Sequence, residues 1–253
     1  MKIAVSGKGG VGKTTLVAAL AKLFAEKGQK VFAIDADPDA NLALTLGFPL
    51  SSQITPLIKM EKLIEERTGT KVGDSSPYFK LNPRVDDIPD RFFVSHQGIN
   101  LAVMGTVRGG GLGCTCPENA FLKALLLHLI VERKEVVLLD MEAGIEHLGR
   151  GTVSAVDWLI IVAEPSLLSI ETSLHIKNLA GEIGIKKIGV VGNKIDNKKD
   201  RKFIADRLKG LELLGFLSYY KEIKDAGLKG LPIFETCPEL LKEGKAILNK
   251  LQV

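Results

Sequence analysis

The sequence predicts an α/β fold: a mostly parallel sheet with helices on both faces. Six short runs, KIAVSG, KVFAID, INLAVM, EVVLLD, WLIIVA and KIGVVGN, are almost continuously apolar. Strands covered on both faces read this way, whereas half-exposed strands alternate. Between most of these runs lie amphipathic stretches, over 13–27, 117–133, 167–183 and 199–208. Alternation of strand and helix selects parallel pairing through crossover connections. The rest is consistent with one domain over 1–253, without repeats, low-complexity segments or a dividing linker.

Composition narrows the class. Hydrophobic residues make up 45% and charged residues 25%, the balance of a soluble globular chain. No apolar run reaches bilayer length, and the glycine-interrupted start MKIAVSGKGG does not read as a signal peptide. The expectation is a cytoplasmic protein whose three cysteines serve metals or chemistry more than crosslinks. The net charge of +4 is modest, and the lysine cluster at 197–202 reads as a solvated helix face. The terminal helix expected over 238–251, with Pro238 at its first position, lacks the strongly basic face of a membrane anchor. No nucleic acid and no membrane partner is expected.

Taken in order, the first run leads into GKGGVGKTT, and the first helical pattern follows. From Gly7 to Thr14 this fits the phosphate-binding pattern GxxxxGK[ST], in the strand-to-helix context the pattern needs. Gly9, Gly10, Val11 and Gly12 turn backbone N–H groups toward phosphate oxygens, and Thr15 continues the loop into the helix. Lys13 is placed to reach the β- and γ-phosphates, and Thr14 to put its hydroxyl on Mg²⁺. The second run ends in IDADPDAN, where Asp35 and Asp37 stand in a turn rich in Asp, Pro and Asn. The stretch 48–93 is too long for a simple connection, so it is expected to be an insertion carrying at least one helix. The run EVVLLD ends in Asp140, with Gly144 four residues on. The run KIGVVGN leads to Asn193 and Asp196, and GLKGLPIFE, around Pro232, is expected to close over a base.

Two thiols stand out. Cys114 and Cys116 follow a glycine-rich run and precede Pro117 and Glu118, which suit the first turn of a helix. A helix N-terminus lowers thiol pKa and favours thiolate. A disulfide between residues two apart is strained, and a redox-sensing pair is an alternative. As metal ligands, two thiolates make only half of a usual Zn²⁺ set.

The string KGGVGKTT resembles the deviant Walker A of the MinD, ParA and nitrogenase iron-protein family, P-loop NTPases of the SIMIBI/MinD type. The resemblance implies an ATP-dependent homodimer in which Lys8 crosses to the phosphates of the facing subunit. It further implies that Asp37 orients the attacking water and that Asp35 supports Mg²⁺ from behind. By the same resemblance, Asp140 holds Mg²⁺, Gly144 senses the γ-phosphate, and IEHLGRG, with Arg150, lies where a switch transmits toward the interface; His147 in that stretch reads as a polar surface residue, with a ligand or relay role as the alternative. Asn193 matches the family's adenine contact; Asp196 is of the type that suits guanine, so ATP is the family's implication and base choice stays open.

KGGVGKTT, FKLNPRVDDIPDRF, GCTCPENAFLKALL and DMEAGIEHLGRGT together resemble the CooC family and its relative AcsF, ATPases that help insert nickel into carbon monoxide dehydrogenase or acetyl-CoA synthase. That resemblance implies ATP or ADP with Mg²⁺, and Ni²⁺ or Zn²⁺ held by Cys114 and Cys116 of two facing chains. It also implies a nickel-enzyme client. A ParA/MinD-like positioning ATPase and an electron-transfer ATPase with an iron–sulfur cluster are the alternatives.

Overall fold

The structure, a computed structural model, describes residues 1–72, 78–105, 116–143, 152, 154–229, 231 and 233–252. Among them eight strands form one sheet in the order β3-β4-β2-β5-β1-β6-β7-β8. The first half of the chain supplies β1 (Lys2–Ser6), α1 (Lys13–Glu26), β2 (Val31–Asp35), α2 (Leu42–Thr45), α3 (Glu61–Thr68), α4 (Ile88–Phe92), β3 (Val94–His96), β4 (Ile99–Val103) and α5 (Pro117–Leu127). The second half supplies β5 (Val136–Asp140), β6 (Trp158–Ala163), α6 (Leu167–Ile183), β7 (Ile188–Ile195), α7 (Lys198–Arg207), β8 (Glu212–Ser218), α8 (Lys221–Lys229), α9 (Ile233–Thr236) and α10 (Glu239–Leu251). All neighbouring strands run parallel except β3, which is antiparallel to β4.

The six apolar runs are the six strands from β1 to β7 other than β3. β1, β2, β5 and β6 are buried at every position, as strands between two helical layers must be. Their side chains divide into two cores. Val5, Leu138 and Ile160 point to the face covered by α1 and α10. Phe32, Leu139 and Ile161 point to the face covered by α5 and α6. A buried Leu, Ile or Phe contributes about 1.5–3 kcal/mol, so both layers hold the sheet firmly.

The structure adds two strands to those expected. β3 is an exposed three-residue edge joined to β4 by the turn Gln97-Gly98, both at positive φ (47° and 79°). Such a turn matches the strands' own twist, and glycine accepts its second position without strain. β8 is a partly exposed edge paired with β7. Within 48–93, α3 and α4 bring Leu63, Ile64 and Ile88 into the core with Phe121 and Leu125 of α5. The helix expected over 117–133 is α-helical to Leu127, then takes one π turn over His128–Glu132. Pro238 caps α10 from outside instead of occupying its first position.

β1 sits between β5 and β6, while β2 lies beyond β5. The chain therefore leaves β1 in one direction and later returns to its other side. Parallel sheets bind ligands outside their carboxyl ends at such a reversal of strand order. Among the described residues, those at or just beyond the ends of β1, β2, β5, β6 and β7 meet there.

Candidate active site

The loop after β1 holds the phosphate-binding pattern. Val11 is buried beneath it and anchors the turn to the core. Gly12 precedes α1 in the left-handed region, at φ 97°, and a Cβ there would overlap the side-chain amide of Asn193. A glycine is therefore required both by conformation and by space. Gly9 and Gly10, by contrast, face open space where a Cβ would meet nothing. They line a cavity of about 560 Å³ with Lys13, Thr14, Asp37 and Glu142.

Lys13 is only 5% exposed, and its ammonium lies 3.8 Å from Oδ2 of Asp37 and 3.5 Å from the carbonyl of Lys8. Asp37 thus stands opposite the P-loop lysine across the cavity. Its Oδ1 accepts the N–H of Asp39, which fixes the loop after β2 as a tight turn.

Two more carboxylates lie beneath. Asp35 and Asp140 are register partners at the ends of β2 and β5 and are wholly buried. Asp35 accepts N–H groups from Leu42 at 2.9 Å and Asp37 at 3.3 Å. Burial still pushes its pKa up to about 6, against those hydrogen bonds, with the Asp37 charge adding to the rise. Burial pushes Asp140 up to about 7; the Thr14 hydroxyl and the Lys13 charge pull the other way, while Asp35 and Asp37 push it higher. Neither Asp140 oxygen meets a hydrogen-bond partner of good geometry. An unmet buried carboxylate below Thr14, beside an open glycine cradle, fits a Mg²⁺–phosphate group. Hard oxygen donors of this kind suit Mg²⁺.

Asn193, at 7% exposure, is bound into the same loop. Its amide donates to the carbonyl of Val11 at 2.7 Å, and its Oδ1 accepts the N–H of Lys194. It borders a second cavity of about 360 Å³, with Tyr219, Tyr220, Ile223 and Lys224 on the far wall. The sequence reading missed these four, because they follow an edge strand that it did not recognise. Asp196 is exposed and does not line this cavity; its N–H serves the cap of α7 by donating to Asp200.

Lys8 is 3.9 Å from Glu164 just after β6, and the other oxygen of Glu164 is 2.9 Å from Lys194. Ser6, at the end of β1, donates to the carbonyl of Glu142 at 2.7 Å, tying the loop after β5 to the P-loop strand.

Cys116 is half-buried at the N-cap of α5, with Pro117 and Glu118 in the first turn as expected. Cys114 lies outside the described residues, as do Gly144, His147, Arg150 and Pro232. Among the described residues, no three or more His, Cys, Asp or Glu side chains gather as a metal site. No helix among them is long and apolar enough to cross a membrane.

Residues 2–233 match the family model of the CobQ/CobB/MinD/ParA nucleotide binding domain. The carbon monoxide dehydrogenase accessory protein CooC of Rhodospirillum rubrum is 48% identical, over 99% of this chain and 96% of that protein. An uncharacterised ATP-binding protein of Methanocaldococcus jannaschii is also 48% identical, over 92% of this chain and 91% of its own. The MinD cell division protein of Aquifex aeolicus superposes with a TM-score of 0.68 over 99% of this chain and 96% of that one, at 22% identity, and so shares the fold.

Proposed function

The chain belongs to the CobQ/CobB/MinD/ParA nucleotide-binding family, in its CooC branch, and is an ATPase; from that premise we propose that it is an ATP-dependent, dimerising maturation factor that assists nickel insertion into carbon monoxide dehydrogenase or acetyl-CoA synthase. The observation that carries this reading is the near full-length 48% identity to a carbon monoxide dehydrogenase accessory protein. The Cys114/Cys116 pair supplies ligands of the chemistry that reading needs.

The triphosphate of ATP enters over Gly9 and Gly10, where no side chain stands in the way. Lys13 exchanges its 3.8 Å contact with Asp37 for the β- and γ-phosphates. Thr14 and Asp140 are the residues that would hold Mg²⁺, which neutralises charge building on the phosphate oxygens. Asp37, released from Lys13, faces the same cavity and orients the attacking water. The adenine lies against Asn193 and Tyr219 in the second cavity.

Lys8 reaches the phosphates of a second copy and draws two chains together. A two-fold axis then brings Cys114 and Cys116 of one chain to the same pair of the other. Four thiolates suffice for tetrahedral Zn²⁺ or square-planar Ni²⁺ as cargo. Nucleotide and metal bias one association equilibrium, so each must alter the other's affinity.

Anaerobic equilibrium dialysis with Ni²⁺ and with Zn²⁺ tests the proposal. The expected stoichiometry is one ion per two chains, lost in the Cys114→Ala/Cys116→Ala variant. Unchanged binding and unchanged metal-dependent dimerisation in that variant remove the interface site. A visible iron–sulfur chromophore after anaerobic reconstitution supports the electron-transfer alternative instead.

A further inference from the structure

We propose that Glu164 is a positioning residue that parks Lys8 on its own chain until nucleotide arrives. The inference rests on the Lys8-bridged dimer proposed above. Glu164 directly follows β6, between the P-loop and the end of β7. Its backbone N–H donates to the Ser169 hydroxyl at 3.0 Å, and the Ser169 N–H donates to the Ser166 hydroxyl at the cap of α6. These bonds fix the backbone, so the carboxylate has a defined place. Its side chain is 20% exposed.

The two oxygens are unequally used. Oε2 lies 2.9 Å from Lys194 and Oε1 lies 3.9 Å from Lys8. Lys194 is held further, at φ 57°, by its own N–H, which donates to the side-chain Oδ1 of Asn193. One negative charge therefore serves two ammonium groups, and the longer, looser pair is the one to Lys8. Among the described residues, no other carboxylate lies within ion-pair distance of Lys8. A triphosphate carries several negative charges and displaces a single partly exposed carboxylate, freeing Lys8 to swing outward. Lys194 borders the second cavity, so the same carboxylate links both ends of the nucleotide site.

The corner where Lys8 is parked also bears apolar surface. Leu167 and Leu168, three and four residues after Glu164, are 61% and 64% exposed. Adjacent exposed leucines beside a crossing lysine fit a second copy of this chain.

Sedimentation velocity in Mg²⁺ and a non-hydrolysable ATP analogue tests the parking role. Wild type, Glu164→Gln, Lys8→Ala and the double variant are compared. Glu164→Gln keeps the shape and removes the charge; it is expected to lower the dimer dissociation constant roughly two- to fivefold, the range of a partly exposed ion pair. In the Lys8→Ala background the shift should vanish. An unchanged or raised constant, or an equal shift without Lys8, overturns the role of Glu164. If the wild type stays monomeric at every concentration, the dimer reading fails by itself. The Glu164–Lys8 pair is then judged from analogue affinities of the same four monomers, where strict additivity overturns it and a coupling supports it.

Discussion

The amide of Asn193 at the end of β7 donates to the carbonyl of Val11 in the P-loop, 182 residues earlier in the chain, at 2.7 Å. One buried hydrogen bond thus joins the phosphate cavity to the cavity beside it. In Asn193→Ala the Val11 carbonyl loses its partner where water is scarce, at a cost of about 1–3 kcal/mol. Urea unfolding should show that loss, and calorimetric titration should show weaker ATP binding. Gly12→Ala attacks the same contact from the other side, since its Cβ overlaps the Asn193 amide. It should be at least as damaging.

The paired carboxyls below the loop set a pH dependence. Asp35 and Asp140 are raised from 3.8 to about 6 and about 7 in the folded chain. Between these values and the unfolded pKa the folded state binds more protons, so stability falls as pH rises. From pH 5 to 7.5 the nucleotide-free chain should lose roughly 2–4 kcal/mol, shared by the coupled pair. Asp86 and Asp90 have lowered pKa values, so their contributions are lost only as pH falls further, below this window. Asp140→Asn should flatten most of the slope. Mg²⁺–ATP should flatten it too, because a cation favours the ionised form. Urea midpoints across this range measure both effects, and an equal slope in the variant would falsify the assignment to Asp140.

Asp37 separates turnover from binding. Its carboxylate faces Lys13 across the cavity at 3.8 Å and accepts the Asp39 N–H. Asp37→Asn keeps that turn and removes the charge. ATP turnover should fall about 100-fold or more, the usual range for a group that handles the water's proton. ATP affinity should hold or tighten, because Lys13 no longer has a competing anion. Phosphate release and nucleotide titration read the two quantities separately; a parallel loss in both would show a structural role instead.

Much of this site was legible because its parts are local. Asp35 and Asp140 end apolar strands, the P-loop and Asp37 follow such strands closely, and strands buried on both faces are easy to read. The wall made by Tyr219, Tyr220 and Ile223 was not legible. It follows β8, ELLGFLS, an edge strand without a β-branched residue and with Gly215 packed against Ile247 of α10. Tertiary packing makes that strand, not propensity. Glu164 escaped notice for a similar reason, since its meaning comes from two lysines at distant positions in the sequence.

The wall after β8 also bears on base choice. An Asp that recognises guanine must accept from the base edge, yet Asp196 is exposed and outside the cavity bordered by Asn193. Its backbone is committed to the Asn197–Asp200 capping box of α7. Asp196→Asn should therefore leave ATP and GTP affinities within roughly twofold of wild type, as exposed polar changes do. Tyr219 is half exposed on the cavity wall, where a planar base can lie against its ring. Tyr219→Ala should weaken ATP by about 0.5–1.5 kcal/mol, the worth of an aromatic contact. Inorganic tripolyphosphate, which has no base, should bind that variant as it binds the wild type. Competition titrations with ATP, GTP and tripolyphosphate decide the matter: a strong response to Asp196→Asn would return that residue to the base, and equal weakening of tripolyphosphate in Tyr219→Ala would place its effect on the fold.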